Sequence, residues 1–233
     1  MKRIWQTAEA VRTGAGFGVA LDGRALRKPG GAALVVPQAG LAEAIAAEWR
    51  EAGLDGGEIA PDDLPLTRLA TTAIDRVPAA RAGIIRQLAA YALHDLLCYH
   101  ADQPPELTAR QGAAWSPWLA WAAEAHGLRL DTGTGITPIP QPPETEAIAT
   151  RFLEPQTDFI LAGLGVAIPA TGSLVLGLAL LAEALDPDSA CRLALLDEIF
   201  QAERWGADDE AAARRAAILA DLQLCATFWK LCR

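Results

Sequence analysis

Phe17-Gly-Val-Ala-Leu-Asp-Gly-Arg-Ala-Leu-Arg27 is the stretch that decides the fold class. Asp22-Gly23 signals a type I′ turn, whose two central residues both need positive φ, and Asp-Gly tolerates that geometry. The flanking residues then read as the two arms of a hairpin. Working outward, Gly30-Gly31 separates it from Ala33-Leu-Val-Val36, a third strand closed by Pro37. Residues 4–11 supply a further strand. Leu41, Ala44, Ile45 and Trp49 recur at helical spacing, which predicts a helix over 41–50.

After a loop over 53–61 the pattern turns helical almost throughout. Helices are expected over 67–76, 79–97, 106–126, 145–163, 172–185, 187–205 and 209–231, with Gly or Pro at most breaks. A short extended piece over 136–139 lies in a Gly/Pro-rich connection. The expected fold class is α+β: a small N-terminal sheet-plus-helix domain over 1–62, followed by a larger all-helical domain over 63–233.

The 233 residues are 52% hydrophobic, enough for a substantial core. A net charge of −9 argues against nucleic-acid binding, which needs Lys and Arg to displace counterions. It also disfavours docking on anionic lipid. Cys98, Cys191, Cys225 and Cys232 form no C-x-x-C pair and read as reduced, mostly buried thiols. The start, Met-Lys-Arg-Ile-Trp-Gln-Thr, has no apolar signal region and no long Arg/Ser-rich presequence. A bacterial-type cytoplasm is expected, with a mature organellar form left open. Residues 159–182 carry no charge and are long enough to span a bilayer. Pro169 and Thr171-Gly-Ser173 interrupt them, so two shorter helices meeting at a buried corner are expected, without stable membrane insertion.

Most motifs of familiar chemistry fail on inspection. Asp131-Thr-Gly133 matches half of an aspartic-protease site, but no second copy exists to share the proton. Gly14-Ala-Gly-Phe-Gly18 lacks the spacing and the lysine of a phosphate loop, and reads as a bend between strands. His94, His100 and His126 have no metal-ligand spacing, so no metal and no cofactor is expected. His94 beside Asp95 reads as a buffered surface pair. The adjacent acids Asp62-Asp63, Asp197-Glu198 and Asp208-Asp209 diverge by about 100° on a helix and make no acid/base dyad by themselves. Trp115, Trp118 and Trp121 fit either an aromatic platform or a helix–helix seam, the seam being favoured. An Asp95–Arg110 contact between consecutive helices is geometrically reasonable.

The informative segment is Asp197-Glu-Ile-Phe-Gln-Ala-Glu-Arg-Trp-Gly206. Asp186 fits an N-cap, Pro187 the first helical position and Gly206 the C′ position. Leu193, Leu196, Ile199 and Phe200 form an apolar stripe. Glu198, Gln201 and Trp205, spaced i, i+3, i+7, fall on another face. Two readings fit that second face. It is a contact surface, or Trp205 packs a side core while Glu198 and Gln201 bond nearby backbone.

Asp197-Glu198, Gln201 and Trp205-Gly206, with Asp208 and Glu210-Ala211 after them, resemble the C-terminal motif of a known family. These are the ATP synthase assembly chaperones of the alpha subunit, called ATP-twelve or mitochondrial assembly factor 2. Further matches follow in order: Leu21-Asp-Gly-Arg24, Leu41-Ala42 with Ala44-Ile-Ala-Ala-Glu-Trp49, Pro65-Leu-Thr-Arg-Leu-Ala70, Thr72-Ala-Ile-Asp75, Asp95-Leu-Leu-Cys-Tyr99, Arg110-Gln111 with Trp115, and Thr171-Gly-Ser-Leu-Val175. The resemblance covers nearly all of the chain. His94, His100, Ser116 and Leu64 depart from the residues usual in the family.

The resemblance implies a non-enzymatic chaperone that binds the unassembled alpha subunit of the F-one sector and prevents its aggregation. It implies mitochondrial relatives in eukaryotes, acting in the matrix. It also makes the acid of the Asp-Glu motif the leading functional residue, which carries over to Glu198. The expected partner-binding set is therefore Glu198, Asp197, Gln201 and Trp205. The competing reading is a small-molecule enzyme with Glu198 or Asp95 as general acid/base in the helical domain, which a pocket converging on Glu198 would favour.

Overall fold

The computed structural model describes residues 1–206 and 209–233. Two compact units emerge from the packing. One comprises Met1–Ala79, Asp158–Gly163 and Thr227–Arg233, the other Ala80–Thr157 and Leu164–Ala226. The α+β reading is correct: a small sheet near the N-terminus precedes a mostly helical remainder.

In the first unit, β1 (Ala8–Thr13) and β2 (Gly16–Leu21) pair antiparallel, and β2 also pairs with β3 (Arg24–Ala25) and β4 (Val35–Val36). Asp22 and Gly23 have φ of 47° and 75°, as the hairpin turn requires. The glycine-rich bend serves close approach. At Gly16 a Cβ would lie 2.5 Å from the Val36 carbonyl oxygen. Val19 and Ala20 are buried in the sheet, and α1 (Ala39–Glu51) buries Leu41, Ala42, Ile45, Ala46 and Trp49 along one stripe.

Glu48, half-buried at the edge of that stripe, accepts from Leu66 N (2.6 Å) and Thr67 N (3.0 Å). It thereby caps α2 (Pro65–Thr71), whose first residue is a proline and whose N-cap side chain, Leu64, has no oxygen to offer. Burial pushes the Glu48 carboxyl pKa up, against those hydrogen bonds. A π-turn over Thr72–Arg76 carries α2 into α3 (Val77–Ala90) without the break expected at 77–78. The same unit holds the start of α6 (Asp158–Thr171) and the end of α10 (Asp209–Leu231). There the Trp229 indole occupies the space a side chain at Gly163 would need, 2.3 Å from an added Cβ.

The second unit is built on α4 (Pro105–His126), α5 (Thr145–Leu153), α7 (Leu174–Leu181), α8 (Pro187–Ala194) and α9 (Leu196–Trp205), with most of α6 and α10. Two expected helices are each divided. Residues 145–163 break around Pro155, where α5 has ended and α6 has not begun. Residues 187–205 break at Leu195, whose φ of −110° and ψ of 22° leave the helical region. The helix expected over 79–97 stops at Ala90 and continues as two 3₁₀ turns to Cys98. The extended piece expected over 136–139 does not form a strand; the strand of this connection is β6 (Gly133–Thr134), before it, in parallel pairing with β5 (Tyr99–His100).

The uncharged 159–182 stretch is α6 followed by α7. Ser173 caps α7 by accepting from Leu176 N at 3.0 Å. Every residue from Leu174 to Leu180 is buried, which explains the absence of charge on all faces. No helix among the described residues is long and apolar enough to cross a membrane.

Asp95 is not the surface partner of His94. It is fully buried, and its oxygens accept from Leu97 N and Val175 N, both at 3.1 Å. One carboxylate thus caps a 3₁₀ turn and the start of α7 together. Burial lifts its pKa to about 6, opposed by these hydrogen bonds. The expected contact with Arg110 is absent, since Asp95 is committed to backbone and Arg110 pairs with Glu203. His100 stacks on Trp115, and His126 packs against Trp121 and Phe152. Among the described residues no group of three or more His, Cys, Asp or Glu side chains could hold a metal ion.

Candidate partner-binding face

Local sequence explains why α9 presents what it does. Asp186 caps α8 by accepting from Ser189 N at 2.9 Å, and Pro187 occupies the first turn. The bend at Leu195 then re-aims the chain, and α9 seats Leu196 and Phe200 in the core. Gly206, with φ of 95°, ends the helix. Three flanks remain for the polar residues.

The flank toward α4 is fully engaged. Gln111 of α4 is completely buried, between Leu107 and Trp115 one turn away on each side. Its Nε2 donates to Asp197 Oδ1 at 2.6 Å, and its Oε1 accepts from Ala101 N at 2.7 Å. Trp115 Nε1 donates to the Leu193 carbonyl at 3.1 Å, so this member of the tryptophan series belongs to a helix–helix seam. Farther along, Arg110 grips Glu203 bidentately at 2.5 and 2.9 Å, and Arg204 faces Glu106 at 3.6 Å. The guanidinium of Arg110 holds the Glu203 carboxyl below its ordinary range.

The flank toward α10 carries Glu198. Its carboxylate is ion-paired with Arg214, and the Cys191 thiol on α8 reaches the Arg215 carbonyl at 3.8 Å. Glu198 lies eight residues before Gly206 and Arg214 eight after it. Sixteen residues apart in sequence, the two side chains meet between α9 and α10.

The third flank is open. Gln201 is exposed, and the Trp205 indole is 76% exposed. The side-core reading of Trp205 is corrected here, because its indole lies largely in solvent rather than against a side core. The expected residues therefore divide. Asp197 is drawn into a buried amide chain, Glu198 sits at a half-open edge, and Gln201 and Trp205 face outward. Asp208, part of the same motif, lies outside the described residues, as does its pairing with Asp209.

A groove of about 480 Å³ opens between α4, α8 and α9, with Trp118, Leu193, Leu196 and Ile199 as its floor and Arg110 and Arg192 at its rim. Glu198 does not line it. The other acid of the enzyme reading, Asp95, is sealed from solvent.

Sequence reasoning missed Gln111 and Arg214. A glutamine at i+4 from Leu107 and i−4 from Trp115 on a helix carries a readable signal, since a polar side chain in a buried stripe must find a partner. Arg214 carried no such signal, because its pairing with Glu198 depends on how α10 is placed beside α9.

Comparison with known proteins is consistent along the whole chain. The sequence profile of the ATP12 chaperone protein family matches residues 2–123. The mitochondrial protein atp12 of Schizosaccharomyces pombe is 26% identical over 222 residues, covering 90% of this chain and 75% of the relative. The crystal structure of Atp12 from Paracoccus denitrificans superposes with a TM-score of 0.92 at 36% identity, covering 100% of this chain and 98% of that one. A mutant of the same Paracoccus protein, with an aspartate replaced by lysine, matches equally well. With the profile over more than half the sequence and the fold shared from end to end, the chain belongs to the ATP12 chaperone family.

Proposed function

We propose that this chain is a non-enzymatic assembly chaperone of the ATP synthase F-one sector, which binds the unassembled alpha subunit and prevents its aggregation. The reading rests on family membership and on one structural observation. The open flank of α9 displays an indole and an amide, and the Glu198 carboxylate stands at the half-open edge beside them. An unassembled subunit exposes apolar interfaces that self-associate, and a carrier has to cover them reversibly. Exposed tryptophan gives large contact area at small conformational cost, while a carboxylate and an amide supply directional contacts that set register. Glu198, Gln201 and Trp205 would touch the partner, and Asp197 would hold α9 in place beneath them. The chaperone would act without a cofactor, in the cytoplasm of a bacterium or, for eukaryotic relatives, in the mitochondrial matrix.

The test is capture of the isolated alpha subunit by the Glu198→Lys variant. The expected result is a native fold by circular dichroism and loss of protection against alpha-subunit aggregation. Undiminished protection by a folded variant would overturn this assignment of the contact face.

A further inference from the structure

The ion pair between Glu198 and Arg214 says something about the partner that the exposed face alone does not. Arg214 is a side chain of this chain already seated on the carboxylate that the proposed function assigns to partner contact. Its side chain is 61% exposed against 33% for Glu198, so the guanidinium reaches in from the solvent side and covers the acid. Nothing in the pair seals it from water, and an exposed ion pair of this kind is weak and exchanges readily.

We infer that Arg214 is an exchangeable placeholder: it occupies Glu198 in the free chaperone and yields it to a basic side chain of the bound polypeptide. The inference rests on the proposed function and names the chemistry of the segment that docks. That segment carries a Lys or Arg to replace the guanidinium on Glu198, beside apolar surface to cover the Trp205 indole. Charge complementarity favours this occupant. The chain carries a net charge of −9, and among the described residues the group Glu198 accepts from is a cation, Arg214. The covering pair also has a use. A carboxylate partly neutralised in the free state presents less bare charge to unrelated basic proteins, and the correct partner must supply both the cation and the apolar contact to displace Arg214.

Exchange makes a prediction opposite in sign to ordinary contact. If Arg214 competes with the partner, its removal tightens binding by the strength of one exposed ion pair, about two- to fivefold. The experiment measures the chaperone concentration that half-protects isolated ATP synthase alpha subunit from aggregation, for wild type, Arg214→Ala, Glu198→Gln and the double variant. Arg214→Gln serves beside Arg214→Ala, keeping much of the side-chain stem and any packing it provides.

The expected set is tighter protection by both Arg214 variants, weaker protection by Glu198→Gln, and no effect of Arg214→Ala once Glu198 is glutamine. Binding by Arg214→Ala should also weaken more steeply with added salt than binding by wild type, because a new ion pair then forms instead of an exchange. Weaker or unchanged protection by both Arg214 variants, with Glu198→Gln still impaired, would overturn the placeholder and leave the chaperone face standing. Unimpaired protection by Glu198→Gln would remove the chaperone face itself, and the placeholder with it.

Discussion

Asp197 and Glu198 are neighbours in sequence, yet they live in different surroundings on the two flanks of α9. Asp197 closes a chain of hydrogen bonds that begins at Ala101 N and passes through a glutamine with no solvent exposure. Glu198 meets an arginine that is mostly in water. A helix rotates about 100° per residue, which is enough to send one acid into a seam and the next to an edge. The contrast separates holding from binding. The α4 flank fixes where α9 stands, and at the edge near α10 Glu198 is held only by an exposed ion pair. Asp95 belongs with Asp197 in this contrast, as an acid spent entirely on internal donors.

The contrast is broken most severely at Asp95. Asp95→Ala strips the acceptor from Leu97 N and Val175 N together. A buried donor left without a partner costs about 1–3 kcal/mol, so the loss of both should cost about 2–6 kcal/mol of stability. Urea denaturation should show a lower midpoint at unchanged slope. A loss below about 1 kcal/mol would mean that water or a rearranged side chain reaches those donors.

The same residue gives a pH signature. Its pKa is raised from 3.8 to about 6 in the folded protein, so across that window the folded chain binds more protons than the unfolded one. The Asp95 contribution is therefore fully present below pH 3.8 and lost as pH rises through about 6. His100 and His126 act in the opposite sense. Burial lowers both pKa values below 6.5, so their contribution is present above 6.5 and lost on acidification. The difference in stability between wild type and Asp95→Asn isolates the first effect. It should fall between about pH 4 and pH 6 and then level off. A difference independent of pH would show that Asp95 does not titrate in that range.

Asp197→Ala comes next. It leaves the Gln111 amide buried and half-satisfied, at a cost of about 1–3 kcal/mol. Gln111→Leu with Asp197→Ala should recover part of that loss, because replacing both partners by apolar groups removes the unpaired donor. The Ala101 N–H, which also relied on Gln111, limits the recovery. Stability equal to the single variant would indicate that Asp197 acts independently of Gln111.

How much of this was legible in the sequence depends on the range of the interaction. The hairpin at Asp22-Gly23, the buried stripe of α1, the cap at Ser173 and the full span of α4 and α10 follow from local rules, and the structure has them close to where those rules put them. The bend at Leu195 was not legible, because no Gly or Pro marks it and Asp186, Pro187 and Gly206 bracket one uninterrupted apolar pattern. The π-turn over Thr72–Arg76 likewise joins α2 to α3 across Pro78, where a proline ordinarily marks a break. At the site, the shared face of Glu198, Gln201 and Trp205 followed from helical spacing. The different fates of Asp197 and Glu198 did not, since they depend on Gln111 and Arg214, which lie 86 and 16 residues away. Spacing fixes which side chains share a face of a helix, and only the packing of other helices decides which face stays open.

The smallest effects on stability belong to the open edge, and they sharpen the contrast because function should move while the fold does not. Trp205→Ser removes an indole that is 76% exposed and therefore contributes little burial. Its stability should stay within about 0.5 kcal/mol of wild type, as for surface positions generally. Protection of the alpha subunit should nevertheless weaken about tenfold or more, the loss typical of a central aromatic contact. Gln201→Ala should act in the same direction and less strongly, since an amide at such an edge can be replaced by water. A Trp205→Ser variant that unfolds in parallel with its loss of protection would place the indole among the groups that hold the helix. Normal stability with lost protection would place it among those that bind, on the side of α9 where Glu198 stands and Asp197 does not.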